Sequence, residues 1–263
     1  MDAIVNEYLG LTYLMTALVG LCVGSFLNVQ IYRLPLGLSQ WEPSHCPKCN
    51  MYIKWYDNIP VLSYTFLRGK CRGCKTHISF RYTFVEILNC LLWVACLYKF
   101  LDIGFWYACC MMVASSALVT VFFVDLEHML IHDALTLFVA LAGVGSIFAA
   151  DVMPWYENVI GCLVWGGAFA AVYFVAKSVY KREAMGTGDI FLMAALGLLL
   201  GWKCTFIVLL VSSIVGSIVL LTLAKIKKEQ GKEYPFGPFI VFGAFVAMFF
   251  GDAVIDFYLG MFV

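Results

Sequence analysis

Residues 105–125 read FWYACCMMVASSALVTVFFVD, an uncharged run from Phe105 to Val124 that closes on Asp125. A helix crosses the hydrocarbon layer of a bilayer with about 20 apolar residues, so this stretch predicts one transmembrane helix with a carboxylate at its end. Comparable runs fall near Tyr8–Tyr32, Phe84–Leu101, Ala134–Ala150, Val159–Val179, Ile190–Gly201, Thr205–Ala224 and Ile240–Gly260. Ile190–Gly201 is the shortest of them, with the least distinct ends. Composition agrees, because 63% of the 263 residues are apolar and only 13% charged, about half the charged share of a soluble domain. A soluble domain of this size has too little interior for so much apolar surface. The expectation is an all-α polytopic membrane protein of about eight transmembrane helices. The opening Met1-Asp2-Ala3 lacks a basic n-region, and the apolar run after it is too long for an h-region, so it reads as a membrane helix rather than a cleaved signal peptide.

Formal net charge is zero, but its distribution is uneven. Fifteen of the seventeen lysines and arginines fall in three segments: 33–82, the stretch around Lys177, Lys181 and Arg182, and the stretch from Lys225 to Lys232. Basic loops stay in the cytoplasm. With eight spans, this bias places all three segments on the cytoplasmic side and both termini outside. The domains expected are a first transmembrane helix (1–32), a cytoplasmic loop (33–82) and a helical membrane core (83–263).

The 33–82 loop holds Cys46-Pro-Lys-Cys49 and Cys71-Arg-Gly-Cys74, with 21 residues between the pairs. Two CxxC pairs near this spacing suit a four-thiolate, zinc-ribbon-like site for structural Zn²⁺, with Gly73 expected to permit the sharp turn. Two disulfides are the alternative, which a reducing cytoplasm disfavours. The loop stays basic even with a zinc–thiolate site, so anionic lipid headgroups are a further contact. The other cysteines read as small apolar packing residues.

Carboxylates near lipid are costly, and two of them sit at helix ends. Asp125 closes the third span, which runs inward. Asp189 opens the sixth, which runs outward, directly after Gly186-Thr187-Gly188. Topology therefore brings both to the cytoplasmic boundary. Two facing carboxylates do not comfortably both ionise, which is the acid–base division of an aspartyl protease dyad. Gly186 and Gly188 would let a substrate backbone approach, and Asp133 and Glu183 are supporting candidates, Asp133 also as the cap of the fourth span. Singly, Asp189 also reads as a helix N-cap and Asp125 as a solvated loop residue. A rival site is His128 with His132, four apart and able to share a metal with Asp125 or Glu127. Met129, however, stands where the zinc-protease pattern wants Glu.

Taken together these residues resemble the prepilin leader peptidases, the bifunctional GxGD-type enzymes of type IV pilus and type II secretion systems. The resemblance runs from Gly24-Ser25-Phe26-Leu27-Asn28-Val29 and Arg33-Leu34-Pro35 through both cysteine pairs, Asn58–Tyr64, Leu67–Lys70, Ile78-Ser79, Arg81-Tyr82 and Glu86. It continues through Asp125 with Asp133, Gly186-Thr187-Gly188-Asp189, Ala194–Gly197 and Pro235-Phe236-Gly237-Pro238-Phe239. It implies cleavage of the basic leader of type IV prepilins or pseudopilins after a glycine, with Asp125 and Asp189 catalytic. It also implies N-methylation of the new amino terminus with S-adenosylmethionine, and a multi-pass place in the bacterial inner membrane with the active site facing the cytoplasm. No residues for the methyl donor are identified, and no nucleic-acid partner is expected. His132, Phe191 and Thr83 stand where the family often has proline, lysine and proline. A transporter remains an alternative but would need ionisable groups deeper in the spans. A non-catalytic scaffold built on the cysteine loop would need neither aspartate.

Overall fold

The computed structural model describes residues 2–149, 152–181, 186–227 and 234–261. Eight α-helices follow in chain order: α1 (Asp2–Arg33), α2 (Leu62–Phe66), α3 (Arg81–Phe100), α4 (Phe105–His128), α5 (Asp133–Ala149), α6 (Trp155–Tyr180), α7 (Thr187–Lys227) and α8 (Gly237–Gly260). Among the described residues there is no named strand, only two isolated bridges in the cysteine loop. Among the described residues six helices are long and apolar enough to cross a membrane, and α5 is a shorter apolar helix. The protein is a multi-pass membrane protein. Its chain divides into two compact units, Met1–Thr120 and Val121–Val263.

In the first unit, α1 and α3 meet through glycines. A Cβ at Gly24 would lie 2.7 Å from the Cα of Glu86, and one at Gly20 3.1 Å from the Cα of Cys90. Small residues four apart let membrane helices approach backbone to backbone, where apolar side chains alone give little drive to associate. Buried amides then tie the helices together. Asn89 Nδ2 donates to the Gly20 carbonyl at 2.8 Å, Ser116 Oγ donates to Asn89 Oδ1 at 2.8 Å, and Trp93 Nε1 donates to Ser116 Oγ at 2.8 Å. Two buried charged residues shape the loop. Arg33, the last residue of α1, donates to the carbonyls of Ser39 and Glu42 at 3.0 and 2.8 Å, a structural role. Glu86 Oε2 accepts the Val61 N–H at 2.8 Å, holding Val61 at φ 62°, a conformation costly for a β-branched residue.

In the second unit, α7 is interrupted at Gly201, whose φ of 73° and ψ of 172° are not helical. Glycine tolerates that backbone and other residues do not. Residues nine apart on a straight helix are separated by about 13 Å, yet Thr205 Oγ1 lies 3.3 Å from the Leu196 carbonyl and 2.7 Å from that of Gly201. The chain therefore folds back, and 187–200 and 202–227 are separate legs. They match the sequence runs Ile190–Gly201 and Thr205–Ala224, so each of the eight apolar runs falls on a helix or helical leg among the described residues. Asn158 Nδ2 and Trp165 Nε1 donate to the Leu198 and Trp202 carbonyls at 2.8 and 2.9 Å, satisfying backbone near the break.

Close packing again falls on glycines. Gly161 of α6 and Gly197 of α7 oppose each other, and a Cβ on either would run into the other's backbone. Gly243 of α8 faces the Val208 carbonyl, and a Cβ there would lie 2.6 Å from it. Backbone cannot give way as a side-chain tip can. Gly197→Ala is therefore expected to destabilise the protein by about 1–3 kcal/mol through overpacking. Gly167→Ala, whose Cβ meets nothing within 4 Å, serves as the control in thermal unfolding of the detergent-solubilised protein.

Candidate active site and metal centre

Asp125 lies in the last turn of α4, which runs on to His128, three residues beyond the end expected from the apolar run. Asp189 is the third residue of α7. Both carboxylates are buried, with 5% and 7% of their surfaces exposed. Ile131 lies against both Gly188, the neighbour of Asp189, and Gly237, which meets Asp125, so the two carboxyls belong to one site. Burying like charges together is unfavourable for a merely structural pair. Oδ2 of Asp125 is buried and has no hydrogen-bond partner among the described residues, in an interior where such atoms are nearly always satisfied.

The surroundings of the pair come from three places in the chain. Gly237, in the first turn of α8, presses against Asp125: a Cβ there would lie 2.5 Å from Oδ2 and 3.0 Å from Cγ. Ile131, in the connection between α4 and α5, touches two of the glycines. A Cβ at Gly188 would fall 2.6 Å from Ile131 Cβ, and one at Gly237 would fall 3.2 Å from Ile131 Cδ1. The bare face of Gly188 is thus filled by Ile131, whereas Gly186 is exposed and, among the described residues, a Cβ there would meet only Asp189 Oδ2, at 3.7 Å. Of the two glycines expected to admit a substrate backbone, Gly186 has the open surface.

Asp133 is exposed, and it is the first residue of α5. The His132 ring before it caps the helix start, with Nδ1 accepting the Ala134 N–H at 3.2 Å. Glu183 lies outside the described residues, as does Arg182. His128 ends α4 exposed, and among the described residues no group of three or more ligands assembles around His128 and His132. Sequence reasoning missed Gly237 and Ile131. Gly237 was visible only inside Pro235–Phe239, a motif with no chemistry of its own, and Ile131 gave no signal at all.

The loop of the first unit contains the group that can hold a metal. The Sγ atoms of Cys46, Cys49, Cys71 and Cys74 all lie within 4.8 Å of one another. Cys46 and Cys74 Sγ are 3.8 Å apart, matching the edge of about 3.8 Å that a tetrahedron with Zn–S bonds of about 2.3 Å requires. The cysteines form one cluster rather than two bonded pairs. Each CxxC turn is closed in the same way. Cys46 N–H donates to the Met51 carbonyl at 3.0 Å, and Cys71 N–H donates to that of Thr76 at 2.9 Å. Residues 45 and 52 bridge, as do 70 and 77.

The left-handed positions of the turns are Asn50 (φ 55°) and Lys75 (φ 60°), not Gly73. What Gly73 supplies is space, since a Cβ there would come within 2.8 Å of Met51 Cε. Arg72 grips Asp57 with Nε to Oδ2 at 2.7 Å and Nη2 to Oδ1 at 2.5 Å, tying a short 3₁₀ turn to the second knuckle. This pairing holds the Asp57 carboxyl below its usual range. Hydrogen bonding with the Thr76 hydroxyl and backbone pulls the Cys74 thiol down to about 6, while desolvation and the neighbouring thiols push that of Cys49 up to about 11.

A family profile described as the type IV leader peptidase family matches residues 112–221, and one described as the bacterial peptidase A24 N-terminal domain matches 18–100. A prepilin leader peptidase/N-methyltransferase of Aeromonas salmonicida strain A449 is 35% identical over 280 residues, covering 95% of this chain and 96% of its own. One of Legionella pneumophila is 35% identical over 289 residues, covering 98% of both chains. One of Myxococcus xanthus is 41% identical over 203 residues, covering 76% of this chain and 60% of its own. No solved structure matches significantly. The helical membrane fold, the four-cysteine cluster and these relatives together place the chain in the type IV leader peptidase family.

Proposed function

We propose that the protein is a membrane aspartyl endopeptidase that removes the basic leader of type IV prepilins or pseudopilins after a glycine. It then methylates the exposed amino terminus. The observation that carries the peptidase reading is the burial of Asp125 and Asp189 at helix ends of one compact unit, with Asp125 Oδ2 unpartnered among the described residues. A water between the two attacks the scissile carbonyl. One carboxylate takes the water's proton, and the protonated partner gives its own to the leaving amine, so the pair ends with the proton exchanged between its members. The extended stretch of substrate passes over Gly186. The basic segments favour the cytoplasmic face of the bacterial inner membrane as the place of cleavage. In this reading residues 33–82 are the metal-holding loop and 83–263 the protease core.

Cys46, Cys49, Cys71 and Cys74 would hold structural Zn²⁺, which supplies a cross-link to a loop with few buried apolar residues of its own. The methyl-transfer half is supported by the names of the relatives. S-adenosylmethionine supplies the methyl group, and no residue of this chain is assigned to it. The test is mass spectrometry of a prepilin incubated with the protein in liposomes, with and without S-adenosylmethionine. The expected products are a mature chain cut after its leader glycine and, only with the donor, the same chain heavier by one methyl group. An uncut prepilin, or a cut elsewhere, would sink the proposal.

A further inference from the structure

Gly237 stands outside the two aspartates, yet its backbone forms one wall of the space that Asp125 Oδ2 occupies. We propose that Gly237 is the positioning residue for Asp125, and that α8 takes part in the dyad by leaving that space empty. The inference rests on the aspartyl reading above. Three observations carry it. A Cβ at position 237 would lie 2.5 Å from Asp125 Oδ2, far inside van der Waals contact, and 3.2 Å from Ile131 Cδ1 on another side. Asp125 is only 5% exposed, so its carboxylate has little open space to retreat into. Among the described residues Oδ2 has no hydrogen-bond partner to hold it in place.

An added methyl group would therefore be caught between a side-chain tip that carries the chemistry and one that does not. A carboxylate is the free end of a side chain and moves more easily than backbone, so the consequence is a displaced Asp125 in a folded protein. Small displacements matter here, because about 1 Å of misplacement at a reacting group costs about 100-fold in rate. Gly260, on the same helix, has nothing within 4 Å of its Cβ position and carries no such constraint.

The experiment compares wild type, Gly237→Ala, Gly260→Ala, Ile131→Val, the double variant Gly237→Ala/Ile131→Val and Asp125→Asn. Each is reconstituted in liposomes and assayed for prepilin cleavage and for thermal unfolding. Gly237→Ala is expected to lose about 100-fold in kcat, with KM and the unfolding transition close to wild type, while Gly260→Ala is unchanged. Val at 131 lacks the Cδ1 that pins the new methyl, so the double variant is expected to recover about tenfold of the loss. A structural role would give the opposite sign, because a core truncation adds to destabilisation rather than relieving it. Wild-type kcat in Gly237→Ala, no recovery in the double variant, or failure of Gly237→Ala to fold while Gly260→Ala folds would each overturn the proposal. Full cleavage by Asp125→Asn would instead remove the aspartyl reading on which it rests.

Discussion

Asp125→Asn and Asp189→Asn are each expected to lower the rate of prepilin cleavage by at least about 10²–10⁴-fold, the range a positioned acid or base contributes. Asparagine has nearly the size and shape of aspartate, so the cavity stays filled. It can neither take a proton from water at neutral pH nor return one to an amine. The substitution also leaves the other carboxyl without a second acidic group beside it in a buried site, so the thermal transition is expected to stay in place or rise slightly. Lost rate with retained stability separates a catalytic carboxylate from a structural one. Initial rates in liposomes, with unfolding monitored on the same preparation, make the comparison. A helix-capping role for Asp189 would predict the reverse pattern: cleavage retained and stability reduced by about 0.5–2 kcal/mol on replacement by alanine.

Removal of the metal from the four-cysteine loop is expected to have the second large effect, on structure before chemistry. Apparent binding energies of structural zinc in small fingers are about 10–16 kcal/mol, at or above the whole stability of a typical domain, about 5–15 kcal/mol. Cys46 and Cys71 are the buried members of the cluster. The double variant Cys46→Ser/Cys71→Ser is expected to lose zinc by elemental analysis and to be cut rapidly by trypsin at the exposed Lys48, Lys54 and Lys70. Wild type should resist until a chelator is added and then become sensitive slowly. Cleavage of prepilin should fall only on that slow timescale. Immediate inhibition by chelator, reversed at once by metal, would mean that the ion takes part in the chemistry, and would return attention to His128 and His132.

The parts of this molecule that sequence reveals are those whose cause is local. An apolar run long enough to cross a bilayer has few other readings, and so the passes were legible, including the unusual pair split at Gly201. Cysteine spacing carries the metal cluster in the same way, because each CxxC unit is a self-contained turn. The aspartates were legible by a longer route: opposite helix directions bring the end of one span and the start of another to the same depth. The contacts that hold those carboxylates were not legible, because they depend on which helices pack. Gly188 looked like an opening for substrate and is filled by Ile131. Gly73 looked like the residue that turns the knuckle, but Asn50 and Lys75 adopt the left-handed conformations. Arg33 and Glu86 are charged residues at helix ends that fold back onto loop backbone, and nothing in their sequence neighbourhoods names those partners.

The central claim is that Asp125 and Asp189 act as one unit. Its most direct test is the initial rate of prepilin cleavage by Asp125→Asn, Asp189→Asn and the double variant, measured side by side in liposomes. Groups that share one catalytic step lose their effect together, so the double variant is predicted to be no slower than the slower single variant. Losses that multiply in the double variant, or a single variant that cleaves at the wild-type rate, would contradict it.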